Sequence, residues 1–214
     1  MIEDQSKKTT PAALSAIELA IVIPAWRARF LGAALDSLRL QTDQRFRVYV
    51  GDDGSHDDLR GLIQVHGQGL DVVYHRFEEN LGGTDLVAHW HRCIALTQHE
   101  PWIWLFSDDD VAEHDCVAAF HQASQAGLRD VELVKFNLTI IDENGHFIRA
   151  PEPSPANESA EALLKAILQG GHREWRAPEH IFSRLAYDRY GGFLNLPLAL
   201  YSRAIQSHLL RSYV

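Results

Sequence analysis

The stretch Phe46-Arg47-Val48-Tyr49-Val50-Gly51-Asp52-Asp53-Gly54-Ser55 decides how the chain is read. Six residues rich in β-branched and aromatic side chains run into an acidic, glycine-containing turn, which is how a buried strand ends at a polar loop. Two more runs share the pattern: Leu19–Pro24 (LAIVIP) leads into Ala25-Trp26, and Trp102–Phe106 (WIWLF) leads into Ser107-Asp108-Asp109-Asp110. With Asp71–His75 (DVVYH) and Val131–Phe136 (VELVKF), five strands are expected. The segments between them have helical period: Phe30–Leu40 puts Leu31, Ala34, Leu35 and Leu38 on one face, and Asp57–Val65, Thr84–Thr97 and Asp115–Ala126 follow the same logic. Thr84 and Asp85 suit the start of the third helix, and Gly127 the end of the fourth.

This β-α-β-α-β-α-β-α-β order predicts an α/β fold with a mostly parallel sheet flanked by helices. Beyond it, Ile140-Ile141 and Phe147-Ile148 flank Asn144-Gly145, a strong hairpin signal. Residues 150–158 carry three prolines and read as an extended surface loop, followed by a helix over Ala160–Leu168 and a break at Gly170-Gly171. A separate C-terminal domain of about 60 residues would be marginal alone, so residues 1–214 are read as one domain.

Composition narrows the function classes. The 214 residues carry 20 Lys and Arg against 29 Asp and Glu, a net charge of −9, which argues against a general nucleic-acid binder. No apolar run approaches the roughly 18 residues of a membrane span, although peripheral membrane contact stays open. Met1–Ser15 lacks the apolar core of a signal peptide, so a cytoplasmic protein is expected. Cys93 and Cys116 have no paired spacing and read as two reduced thiols. Of the twelve histidines, His89-Trp90-His91 and His114 are the nearest to clusters. Residues i and i+2 diverge on a helix and no HExxH occurs, so they are read as surface residues, not zinc ligands. Trp102 and Trp104 are expected in the core.

Ligands of an open α/β sheet bind beyond the carboxyl ends of its strands. Here those ends are acidic, with Asp52-Asp53 after the second strand and Asp108-Asp109-Asp110 after the fourth. Adjacent carboxylates repel unless solvent, hydrogen bonds or a cation offsets the charge. Mg²⁺ or Mn²⁺, held by one or two carboxylates and completed by substrate phosphates, is the natural offset; the alternative is a set of acids that start the following helix and sit in water.

Four motifs in order, IVIPAW (21–26), YVGDDGS (49–55), ENLGG (79–83) and WLFSDDD (104–110), resemble those of the family 2 glycosyltransferases with a GT-A fold. Ile181-Phe182-Ser183-Arg184 and Tyr190-Gly191-Gly192-Phe193 are similar to the family's acceptor-side segment. The resemblance implies a nucleotide-sugar-binding part over 17–112 and an acceptor-side part over 113–214, the latter incomplete or altered. It implies transfer from a nucleotide-diphosphate sugar donor to a carbohydrate or other hydroxyl acceptor, by displacement with inversion. Pro24, Ala25 and Trp26 would line the nucleotide site, with Trp26 stacking on the base; Asp53, with Asp52, would bond the base; Asn80, Gly82 and Gly83 would let the chain pass close to the nucleotide. Asp108 would lie near the ribose, and Asp109 and Asp110 would hold Mn²⁺ or Mg²⁺. The general base is not assigned, because no Asp or Glu follows Asp188, and Glu179 and Asp188 are weak substitutes. Trp175 is a candidate for stacking against an acceptor sugar. The alternatives are a nucleotide- or carbohydrate-binding module without turnover, and a nucleotidyltransferase, against which the glycine-free Ala25–Arg29 loop speaks. A Rossmann dehydrogenase is excluded by the absence of GxGxxG.

Overall fold

A computed structural model describes residues 18–125, 131–159, 161–162, 165–166, 169, 176–193 and 211–213. The sheet grows from β1 (Leu19–Ala25), which pairs in parallel with β2 (Phe46–Asp52) on one side and β4 (Trp102–Leu105) on the other. The parallel strand β3 (Val72–Arg76) lies outside β2. The order β3-β2-β1-β4 means that the winding reverses between β1 and β4, and there the loops after these two strands diverge and leave a crevice.

Both faces of this sheet are covered, so β1 is apolar throughout rather than alternating. Leu19, Ile21 and Ile23 point to the layer formed by α1 (Ala28–Arg39), α2 (Leu59–His66) and α4 (Cys116–Gln125). Ala20 and Val22 point to the opposite layer, where α3 (Leu86–Ile94) contributes Val87, Trp90, Cys93 and Ile94. Trp104 is buried and Trp102 packs at the edge of the core. Asp85 caps α3, its carboxylate accepting from Ala88 N at 2.8 Å, while Thr84 Oγ1 donates to Leu81 O. Gly127 lies outside the described residues.

The second half departs from the expected order. The short strand β5 (Leu133–Lys135) does not join β4; between them runs β9 (His180–Ser183), antiparallel to both. Ile181 is fully buried and Phe182 nearly so, on opposite faces, which is what a central strand needs. The hairpin appears as β6 (Ile140–Ile141) and β7 (Phe147–Arg149), with Asn144-Gly145 in its turn. Part of the 150–158 loop is a strand as well: β8 (Asn157–Ser159) pairs with β10 (Arg211–Tyr213), which extends the sheet beyond β5. Of the helix expected over Ala160–Leu168, residues 161–162 and 165–166 are helical, and the rest, like Gly170, Gly171 and Trp175, lies outside the described residues. After β9 comes α5 (Arg184–Tyr190), capped by Ser183. Among the described residues no helix is long and apolar enough to cross a membrane.

One contact fixes the depth at which α3 sits on the sheet. A Cβ at Gly51 would run into Cys93 Sγ closer than real atoms approach, and would also meet Phe77 at 3.2 Å. Gly51→Ala is therefore expected to cost about 1–3 kcal/mol of stability by overpacking. Cys93→Ala should relieve part of that cost, and urea denaturation of both single variants and the double variant would show the coupling as non-additivity.

Candidate functional site

At the reversal between β1 and β4 the structure has an open cleft of about 680 Å³. Three loops line it, all from carboxyl ends of parallel strands or from the approach to α3: Pro24–Arg27, Asn80 with Gly82 and Gly83, and Ser107–Asp110. Asp53 lines it from the end of β2, and the turn Arg176–Pro178 closes the far side. Ten of the eleven residues singled out in the sequence thus face one cavity: Pro24, Ala25, Trp26, Asp53, Asn80, Gly82, Gly83, Asp108, Asp109 and Asp110.

Asp52 does not line it. Its buried carboxylate accepts from Ser55 N at 2.7 Å on one oxygen, and from Tyr74 OH at 2.6 Å and Arg76 Nη1 at 2.9 Å on the other. The chain of bonds continues, since Ser55 Oγ donates to Trp26 O at 2.6 Å. Asp52 therefore acts on the cleft at second hand, by holding the Trp26 loop. Trp26 itself is 42% exposed at the mouth, with the Arg27 guanidinium 4.9 Å from its ring centre.

Asp53 is nearly as buried, yet it points the other way. One oxygen accepts from Leu81 N at 2.8 Å and from Arg92, the other from Gly82 N at 2.8 Å. A Cβ on Gly82 would stand 2.7 Å from that second oxygen, so glycine is required there by the carboxylate itself, before any ligand is considered. Asn80 shapes the same loop, its side-chain oxygen accepting from Gly83 N at 2.9 Å.

The acidic triplet divides its work. Asp108 accepts from Trp26 N at 3.0 Å and Arg27 N at 3.3 Å and so ties the end of β4 to the loop after β1. Burial nevertheless raises its pKa. Asp109 is exposed and accepts from Ser107 Oγ. Asp110 is half-buried, and burial, reinforced by the charge of Asp109, pushes it up to about 6. Asp109 and Asp110 have oxygens to spare and suit a hard divalent cation, whose charge would favour the ionised form of Asp110. Among the described residues no group of three His, Cys, Asp or Glu side chains stands ready to hold a metal; phosphate or water oxygens would suit the remaining positions of such a shell.

The remaining candidates lie elsewhere. Glu179 is buried behind the turn that lines the cleft and does not line it, paired with Lys135 Nζ at 3.0 Å and accepting from Arg176 N. That pair, with Trp104 Nε1 donating to Pro178 O at 2.6 Å, fixes the turn over the cleft. Asp188 is exposed on α5.

The histidine expectation is overturned in part. His89 and Trp90 are buried and line the cleft, because α3 lies against the sheet with both its i and i+1 positions covered. His91 is half-buried, bonded to Tyr187 OH and, at 2.8 Å, to Phe193 O. The cysteines are both free, Cys93 buried. Sequence reasoning also missed Arg92, whose signal would have been its place one helical turn after His89, on the face toward Asp53.

The described fold is that of a GT-A glycosyltransferase, and the sequence agrees: the family described as Glycosyl transferase family 2 matches residues 20–173. The chain belongs to this family. No curated protein matches it in sequence. Among solved structures, TarS 1–349 of S. aureus superposes with a TM-score of 0.70 at 12% identity, covering 92% of this chain and 57% of its own. The same protein in complex with UDP-GlcNAc gives 0.69 at 14%, covering 92% and 55%. The mannosyltransferase PcManGT from Pyrobaculum calidifontis, in complex with GDP-Man and Mn²⁺, gives 0.65 at 13%, covering 97% and 57%. This family member thus spans little more than half the length of those proteins, and the likeness is one of fold.

His89 yields a pH prediction. Arg92 Nε donates to its Nδ1 at 3.0 Å, which requires the neutral ring, and burial lowers its pKa to about 4; the 3.3 Å approach of the same nitrogen to Asp53 is then no ion pair near neutrality. An unfolded histidine titrates near 6.5. Between about 6.5 and 4 the unfolded state takes up a proton that the folded state resists, so stability falls as pH drops through that window. Buried His121, its pKa also lowered by burial, adds in the same sense. His89→Asn should flatten the slope relative to wild type in urea midpoints measured from pH 7 to pH 4.

Proposed function

We propose that this family 2 chain is a single domain that binds a nucleoside-diphosphate sugar in the cleft and transfers the sugar to an acceptor hydroxyl with inversion, using Mn²⁺ or Mg²⁺. One observation carries the reading: Trp26, Asp53, Gly82 and Asp109, from four separate segments, converge on one cavity at the sheet's winding reversal. Two structural neighbours hold nucleotide sugars, one of them together with Mn²⁺, which supports it.

In this reading the base stacks on the exposed Trp26 ring. The remaining acceptor site on Asp53 takes an N–H from the base, since one of its oxygens already serves two donors and the other serves one. The close-set loop at Gly82-Gly83 admits the ribose, next to Asp108. Asp109 and Asp110 would hold the cation, which would supply positive charge against the diphosphate. The acceptor hydroxyl attacks the anomeric carbon from the face opposite the diphosphate; the bond to the leaving oxygen breaks, its electron pair departs with the diphosphate, and the configuration inverts. The hydroxyl proton must pass to a base, and Glu179, spent on Lys135 and Arg176 N, is not that group.

Thermal denaturation with UDP-, GDP- and dTDP-sugars, each with and without Mn²⁺, tests the binding. A bound donor at 100 times its Kd should add ~2.7 kcal/mol of stability. Asp109→Asn should remove the metal-dependent part of the shift and leave any metal-independent part; an unchanged response would reject Asp109 as a ligand. Release of nucleoside diphosphate with and without added sugar acceptors then separates a transferase from a binding module.

A further inference from the structure

Resting on the proposed donor site, we infer that Arg92 is a positioning residue for nucleotide binding: it sets the loop at 79–83 against Asp53 without touching the ligand. The guanidinium engages partners through Nη2, Nε and its face. Nη2 donates to Asp53 Oδ1 and, at 2.9 Å, to Glu79 O; Nε donates to His89 Nδ1; Cζ lies 3.9 Å from the centre of the Phe77 ring. These four partners come from the end of β2, from the first three residues of the segment joining β3 to α3, and from α3 itself.

The consequence for the cleft follows from what Asp53 does with its other bonds. Its two oxygens grip the peptide N–H groups of Leu81 and Gly82, which places Gly82 and Gly83 on the cleft wall. The two amides take one oxygen each; the third, charged donor anchors the carboxylate to α3, and the bond to Glu79 O holds the loop from its entry side. Arg92 lines none of the cavity. Its effect on a ligand therefore passes through the loop. Lysine cannot replace it, because an ammonium carries the charge but has neither the planar fork nor the face that lies on Phe77.

The test compares Arg92→Lys and Arg92→Met with wild type in three readouts: thermal midpoint, Kd for whichever of UDP, GDP or dTDP wild type binds most tightly with Mn²⁺, and hydrogen exchange at the Leu81 and Gly82 amides. Both variants are expected to weaken nucleotide binding at least tenfold and to speed exchange at those two amides, while amides of β1 and β2 keep their protection. Arg92→Lys, the milder change, guards against loss of the fold in Arg92→Met. A role confined to stability would lower the midpoint in both variants with unchanged Kd and unchanged local exchange, and would overturn the inference. If wild type binds none of the three nucleotides, the donor-site reading fails instead; exchange at Leu81 and Gly82 still decides whether Arg92 positions the loop.

Discussion

The carboxylate of Asp53 is the constraint on which the site depends. A buried anion is costly unless several donors meet it, and here two backbone amides and a guanidinium do so. Satisfying it forces three otherwise independent pieces together: the end of β2, the glycine loop before α3, and the side of α3 that carries His89 and Arg92. The backbone joins in, since Asp53 N donates to Ala25 O at 2.8 Å and so locks the same residue to the end of β1. Because Gly51, two positions earlier, lets α3 come close, the helix can deliver Arg92 to this point at all.

Asp108 does for β4 what Asp53 does for β2. By accepting from Trp26 N and Arg27 N it binds the two strands across the winding reversal, leaving Asp109 and Asp110 turned to the cavity. Neighbouring acids in one sequence run thus have different physical tasks, one structural and two with oxygens to offer. The same division separates Asp52 from Asp53, where alternation along the strand end sends one carboxylate to Tyr74 and Arg76 and the other to the cleft.

Sequence pattern reached the first four strands and four helices within a few residues of their bounds, because long apolar runs and one-sided helical faces are strong periodic signals. It also reached the cleft, since strand ends of a parallel sheet are where ligands bind and these ends were conspicuously acidic. It could not reach β9: four residues, His180–Ser183, are too few for a period, and nothing local shows that they lie between β4 and β5. Nor could it tell Asp52 from Asp53, because that depends on which partners the fold brings up. His89 was misplaced because helix α3 is covered over more of its circumference than an amphipathic surface helix, as burial of Val87, His89, Trp90 and Cys93 shows.

The position of β9 bears on how the molecule comes into being. A strand that pairs with β4 on one edge and β5 on the other must wait for the ribosome to pass Ser183, so during synthesis β4 stands for a time as an open edge, with Ile103 and Trp104 lacking their eventual neighbours. Open edges of this kind invite pairing with other nascent chains. A shortened product ending before β9 would keep every acid of the cleft and yet be left with a raw, sticky flank, making aggregation rather than loss of ligand contacts its first defect.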